Sequence, residues 1–257
     1  MDCERVARET SAWIGQQLAR ARCSRAVLGV SGGVDSAVVA VLTKRACPEG
    51  TLALVLPAGK SDDLFAERAR RLCEQFDIPW RLVNIGPILT LSSQWLPPEP
   101  GEKEAERARL ALANLRPRIR MTLLYLVANT LGALVVGTGN RSELAVGYFT
   151  KYGDGGVDIL PIGGLYKSEV TALARSLSVP QDIIEAPPSG GLWEGQTDEG
   201  EMGVAYDQIE AYLRAQAERH DPGLHVEVVS RIERMAARSD HKRQPPVSFV
   251  EVRRFID

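Results

Sequence analysis

Ala26-Val27-Leu28-Gly29-Val30 is an unbroken apolar run, and Ser31-Gly32-Gly33 follows it at once. Behind the glycines, Val34 to Lys44 is rich in alanine and valine. Continuous apolar character suits a strand buried on both faces, and the stretch after the glycines suits a buried helix. The same alternation recurs along the chain. Val6, Thr10, Trp13, Ile14 and Leu18 place an amphipathic helix over residues 2–22, and Asp62 to Phe76 carries a stripe of Phe65, Ala69, Leu72 and Phe76. Leu52–Leu56, Trp80–Ile85 and Ala133–Val136 read as further strands. Apolar strands alternating with helices predict an α/β fold, a doubly wound parallel sheet with helices on both faces. Such a sheet binds ligands beyond the carboxyl ends of its strands, where Ser31-Gly32-Gly33 lies. With no internal repeat, residues 1–257 are expected to form a single domain.

Composition narrows the function classes. The net charge of −2 argues against binding nucleic acid by bulk charge. No apolar stretch approaches the length of a membrane span, and the charged start Met1-Asp2-Cys3-Glu4-Arg5 lacks a signal segment, so a cytoplasmic protein is expected. Cys3, Cys23, Cys47 and Cys73 fit no C-x-x-C spacing and read as reduced thiols. Residues 86–101, with Pro97-Pro98-Glu99-Pro100-Gly101, read as a mobile loop ahead of the charged segment Glu102 to Arg109. Pro187 to Gly203 is a second glycine- and proline-rich stretch, and roughly 205–237 is helical before a basic tail at His241-Lys242-Arg243.

Ser31-Gly32-Gly33-Val34-Asp35-Ser36 has the chemistry of a phosphate loop. Its glycines let backbone N–H groups approach an anion, the helix N-terminus is positive, and both serines are hydroxyl donors. Asp35 beside a phosphate calls for an intervening cation, and Mg²⁺ accepts one or two carboxylates plus phosphate oxygens. The competing reading is a plain strand-to-helix turn capped by Asp35 and Ser36. The loop is not a Walker loop: Lys167-Ser168 matches the tail of one, but Tyr166 stands where glycine is required. A lysine-free loop of this kind resembles that of the PP-loop ATP pyrophosphatases, which cleave ATP to AMP and pyrophosphate.

Further motifs follow in order: Gly137-Thr138-Gly139-Asn140-Arg141-Ser142-Glu143, then Gly147 to Asp158, Pro161 to Lys167 and Leu192 to Glu199. Together with the phosphate loop they resemble the NAD synthetase family, in unbroken order from about residue 6 to the end. The resemblance implies an adenine nucleotide α-hydrolase-like, Rossmann-like fold. It also implies an ammonia-dependent ligase that amidates deamido-NAD to NAD, through an adenylated intermediate, with release of AMP and pyrophosphate. Residue by residue, it assigns Gly29, Val30, Ser31, Gly32, Gly33, Val34, Asp35 and Ser36 to the ATP phosphates. Thr138, Lys167 and Ser189 also hold ATP, and Asp35 and Glu143 are the Mg²⁺ ligands. Arg118, Lys151, Asp158, His241 and Lys242 contact deamido-NAD. Asp35, Lys167 and Asp154 are the expected catalytic groups, Asp154 as a carboxylate near the reacting centre. The family implies a homodimer with the dinucleotide at the subunit interface. At this length no N-terminal glutaminase domain is expected, so the nitrogen source is free ammonia unless a separate amidase supplies it.

Taken without the resemblance, several of these residues have plainer readings. Lys167 could be a solvated first-turn lysine, Glu143 could pair with Arg141, and His241-Lys242-Arg243 could be an exposed tail. His220 and His225 flank Asp221-Pro222-Gly223 and read as helix-boundary residues. Two positions depart from the family. Pro117 replaces a small residue beside Arg118, and Gly190-Gly191 follow Ser189 where a small residue and an aspartate are usual. Another PP-loop enzyme and a non-catalytic nucleotide-binding module are the competing functions.

Overall fold

The computed structural model describes residues 1–59, 62–95, 101–189 and 196–246. Its frame is a four-stranded parallel sheet of β1 (Arg25–Gly29), β2 (Thr51–Val55), β3 (Trp80–Leu82) and β4 (Ala133–Val136), in the order β3-β2-β1-β4. Ala26 stands opposite Thr51 on one side and Leu134 on the other, so β1 is central and buried. The order reverses between β1 and β4, which makes the gap beyond their carboxyl ends the topological switch point. Beyond β4 the chain adds one further parallel bridge, Val136 to Ile159.

One face of the sheet is covered by α1 (Cys3–Arg20), α2 (Val34–Ala46) and α3 (Asp63–Gln75), with α7 (Lys167–Ser176) and α8 (Gln181–Ile184). There Leu28 and Val30 meet Ile14, Val38, Leu42, Leu72 and Leu173. The opposite face, Val27, Leu54 and Val135, is covered by α4 (Gly86–Ser93) and α5 (Glu102–Leu131) through Leu89, Ile119, Leu124 and Ala128. Fully burying each such Leu or Val contributes roughly 1.5–3 kcal/mol. A smaller core joins α6 (Arg141–Val146), α9 (Asp198–Met202), α10 (Tyr206–Glu218) and α11 (Val226–Arg238) around Val146, Met202, Ile209 and Ile232. The short α12 (Asp240–Arg243) follows.

Sequence patterning located all four strands and most helices, with instructive differences. The segment expected to be a mobile loop begins as α4: Pro87 sits in the helix's first turn, where proline's missing N–H costs nothing. Pro97 to Pro100 lie outside the described residues. β3 ends at Leu82, not Ile85, although Val83 N and Ile85 N still donate to Val55 O and Pro57 O at 2.9 Å. Glu102 to Arg109 opens a 30-residue helix that runs through Pro117 and stops at Gly132, whose φ is +62°. The glycine- and proline-rich stretch 187–203 contains α9, and the helical end is split in two by His220 to His225, with His225 as N-cap of α11. All four cysteines are free thiols.

Candidate active site

The Ser31–Ser36 loop leaves β1 at the switch point and enters α2 with Gly33 as N-cap. Gly32 has φ +83°, and a Cβ there would stand 2.2 Å from the Phe65 carbonyl oxygen, so the turn excludes every side chain. The loop is braced internally. Ser36 Oγ accepts from Ser31 N at 3.1 Å, donates to Gly33 O at 2.9 Å, and lies 3.0 Å from Ser31 Oγ. Both hydroxyls therefore shape the loop, and each would have to release its present acceptor to donate to a phosphate. Gly29 and Val30 form the end of the strand beneath it.

Asp35 points from the first turn of α2 toward the loop after β4. Its carboxylate pairs directly with the Lys167 ammonium, 132 residues away in sequence, and accepts from Asn140 Nδ2 at 3.0 Å. Asn140 is also the N-cap of α6: it accepts from Glu143 N at 3.0 Å, while Glu143 Oε2 accepts from Asn140 N at 3.1 Å. This capping box fixes Glu143 beside Asp35. Glu143 thus has no part in a pair with Arg141, whose guanidinium lies 4.5 Å from the Tyr166 ring centroid instead. Thr138 is half-buried on the same loop.

Lys167 opens α7 as its sequence position suggested, but at 7% exposure it is no solvated lysine. Burial alone would lower its ammonium, yet Asp35 and Glu143 outweigh that and push it up to about 12. The helix start is held by Glu210 of α10, which accepts from Ser168 N at 2.9 Å and from the Ser168 hydroxyl. An acid at a helix N-terminus also favours the macrodipole.

Asp198 and Tyr206 complete this cluster, and motif reading gave neither a role. Tyr206 donates to Asp198 Oδ2 at 2.9 Å, stands 3.3 Å from Glu143 Oε1, and presents its ring 5.2 Å from Lys167 Nζ. Tyr148 OH contacts Asp198 Oδ1 at 3.1 Å and Glu201 Oε2 at 2.8 Å. Burial raises the carboxyls of Glu143 and Asp198; Asp35 adds to the rise at both and Lys167 opposes it. When ionised, Asp35, Glu143 and Asp198 outnumber Lys167 by two charges, a balance that a divalent cation would meet. Among the described residues, no three His, Cys, Asp or Glu side chains cage a metal by themselves. That donor set fits Mg²⁺, which takes one or two carboxylates and completes its shell with phosphate oxygens and water. Ser189 is half-buried next to Pro188, whose carbonyl accepts from Asp198 N at 2.9 Å. Gly190-Gly191 and Leu192 to Gly195 lie outside the described residues.

A second group of the expected residues gathers around the loop after α6. Arg118 Nε donates to Lys151 O at 3.2 Å, and Lys151 Nζ donates to His241 O. Lys242 Nζ donates to Gly147 O and Phe149 O, both at 2.8 Å, so residues 241–243 are a docked helical turn and not a loose tail. Arg243 reinforces the dock through Leu144 O at 3.1 Å. Asp154 Oδ1 accepts from Thr150 N at 2.9 Å. The Asp154 residue is exposed, yet the crowding of protein around its carboxyl raises it; the Thr150 N–H, then Lys242 and Arg120, oppose that rise. Pro117 packs beneath this loop, its Cβ 3.0 Å from where a Gly153 Cβ would stand. Arg120, two residues on, is bound within the fold, donating to Leu56 O at 3.0 Å and pairing with Asp62 at 3.3 Å. Asp158 stands apart from both groups: it accepts from Val135 N at 2.7 Å and Tyr125 OH at 2.9 Å, closing the outer edge of β4.

Comparison with known proteins identifies the family. The NAD synthase family matches residues 6–246. The NH(3)-dependent NAD(+) synthetase of Carboxydothermus hydrogenoformans is 46% identical over 91% of this chain and 92% of its own length. Among solved structures, an NMN synthetase from Francisella tularensis is 33% identical with a TM-score of 0.85, covering 97% of this chain and 99% of its own. An NH3-dependent NAD synthetase from Campylobacter jejuni is 30% identical with a TM-score of 0.80, covering 97% of this chain and 100% of its own. With the family model matched over residues 6–246 and relatives matched over nearly their full length, the chain belongs to the NAD synthase family.

Proposed function

We propose that the chain, acting as one catalytic domain, amidates deamido-NAD with ammonia at the expense of ATP, forming NAD, AMP and pyrophosphate. The observation that carries this reading is the direct meeting of Asp35 and Lys167 beside the Ser31–Ser36 loop. A buried cation and a carboxylate next to that loop support a triphosphate site there. A carboxylate is a poor acyl donor. One oxygen of the pyridine carboxylate attacks the α-phosphorus, the bond to the bridging oxygen of pyrophosphate breaks, and an acyl adenylate forms. Ammonia then attacks the acyl carbon, the carbon–oxygen bond breaks, and AMP leaves.

The chain's own groups serve each step. The loop Ser31 to Ser36 holds the phosphates through the N–H groups at the start of α2, with Gly29 and Val30 as the strand end that supports it and Thr138 and Ser189 at the nucleotide's flanks. Lys167 offsets charge that grows on the phosphate oxygens in the transition state. Mg²⁺ held by Asp35 and Glu143 would neutralise the triphosphate and the departing pyrophosphate. Arg118, Lys151, His241 and Lys242 offer a cationic rim for the dinucleotide, and Asp158 contacts it from the β4 edge. Asp154 binds ammonium and takes its proton, since the free amine is the nucleophile.

Free ammonia as nitrogen source rests on the near full-length match to NH(3)-dependent relatives; a separate amidase would only raise its local supply. A homodimer is supported by Ile88, Leu91, Leu110 and Leu126, exposed apolar side chains on α4 and α5 that a partner would cover. Among the described residues no helix is long and apolar enough to cross a membrane, and action in the cytoplasm is part of the proposal.

The Francisella neighbour supplies one specific alternative, the mononucleotide acid as substrate. The test is to incubate the protein with ATP, Mg²⁺ and ammonium, adding deamido-NAD or nicotinic acid mononucleotide in parallel. The proposal expects NAD with AMP and pyrophosphate, at a kcat/KM exceeding that for the mononucleotide. Faster turnover of the mononucleotide, production of ADP, or AMP formed without either acid contradicts it.

A further inference from the structure

Tyr206 has no part in the steps above, yet it is 5% exposed and touches three elements of the site at once. Its position is rigid. As the first residue of α10 it is packed in the small core with Val146, Met202 and Ile209, and its backbone N–H donates to Glu199 Oε1 at 2.9 Å. Glu143 Oε2 is engaged by the Asn140 backbone, so Tyr206 meets the other oxygen, Oε1. A phenol has one proton, and here two carboxylates compete for it, Asp198 at 2.9 Å and Glu143 at 3.3 Å. The ring meanwhile backs the Lys167 ammonium, which an aromatic face attracts.

We propose that Tyr206 is a positioning residue for the metal–nucleotide site: its hydroxyl aims Glu143 Oε1 and its ring confines Lys167. The inference rests on the assignment of Asp35 and Glu143 as the groups that hold the divalent ion. Partners of this kind, which orient a metal ligand without touching the metal, typically change metal affinity by ~10–100-fold when removed.

The test uses Mn²⁺ as the probe, titrated into the intact protein with saturating α,β-methylene-ATP and read by electron paramagnetic resonance. Tyr206→Phe keeps the ring and its packing, and circular dichroism with the thermal midpoint establishes that it is folded. The expected result is Mn²⁺ affinity weakened ~10-fold or more. Tyr148→Phe, which loses a contact to Asp198 but none to Glu143, should weaken it less. Equal losses in the two tyrosine variants would mean that the effect runs through Asp198, which overturns the proposal. So does unchanged affinity in Tyr206→Phe when Glu143→Gln binds Mn²⁺ poorly. If Glu143→Gln itself binds Mn²⁺ normally, the metal assignment fails first, and the role of Tyr206 falls with it.

Discussion

The two halves of the site are built in opposite ways. The Ser31–Ser36 loop is six consecutive residues whose shape is set locally: a glycine with φ +83°, a helix N-terminus and two serines bonded to each other. The acid cluster is assembled from α2, α6, α7, α9 and α10, and its key pair joins residues 132 positions apart. The loop can form as soon as β1 and α2 pack, whereas the cluster exists only once the smaller core has docked α10 against α6 and α7. On the proposed reading the loop serves binding, and the cluster serves charge.

Breaking the loop should have the largest effect. Gly32→Ala forces a Cβ against the Phe65 carbonyl and a left-handed φ on alanine, a strain of order 1–3 kcal/mol. It should abolish ATP binding by calorimetry; normal ATP affinity would show that the loop does not grip the nucleotide. Breaking the cluster should act on turnover instead. Lys167→Gln should lower kcat ~10²–10³-fold, the usual loss of one transition-state charge partner, with ATP affinity changed far less. A rise in the KM for ATP at unchanged kcat would erase the distinction between the two halves. At the more exposed end, Asp154→Ala should slow amide formation about tenfold at limiting ammonium, worth ~1.4 kcal/mol, and less at saturation. Equal slowing at both ammonium levels would remove Asp154 from ammonia handling.

The smallest effect sharpens the comparison through stability. Burial raises Glu143 and Asp198 above their ordinary 4.5 and 3.8. In metal-free protein above those values, the native state keeps protons that the unfolded chain has released. Stability therefore falls as pH rises through the raised range, by at most ~1.4 kcal/mol per pH unit for each group. Lys167, pushed up to about 12, stays charged throughout and does not mask the slope. Chelator-treated protein, followed by urea unfolding at a series of pH values, should show the decline, and Glu143→Gln should flatten it. Stability rising over that range would contradict the burial of these acids without a cation.

How much of this was legible in the sequence follows the same division. β1, its loop and α2 are local, and hydrophobic runs and glycines report them directly. Glu143 was found by its motif, and the Asn140–Glu143 spacing also carried the capping-box signature that explains its placement. Asp198 was read within the Leu192–Glu199 motif but given no role, and Tyr206 was not found, because an aspartate after Thr197 and a tyrosine opening a helix look like ordinary helix starts. Their meaning comes from packing between distant helices. Lys242 shows the same limit: three basic residues near a terminus suggest solvent, but carbonyls left open at the end of α6 draw them in. The helix α4 was obscured by the prolines that follow it.

Following the carboxylate oxygens of the acid substrate tests the central claim most directly. With deamido-NAD labelled in its carboxylate with heavy oxygen, in-line attack on the α-phosphorus leaves one labelled oxygen in the phosphate of AMP for each NAD formed. Label found in pyrophosphate or inorganic phosphate, or none in AMP, would contradict adenylation at the Ser31–Ser36 loop.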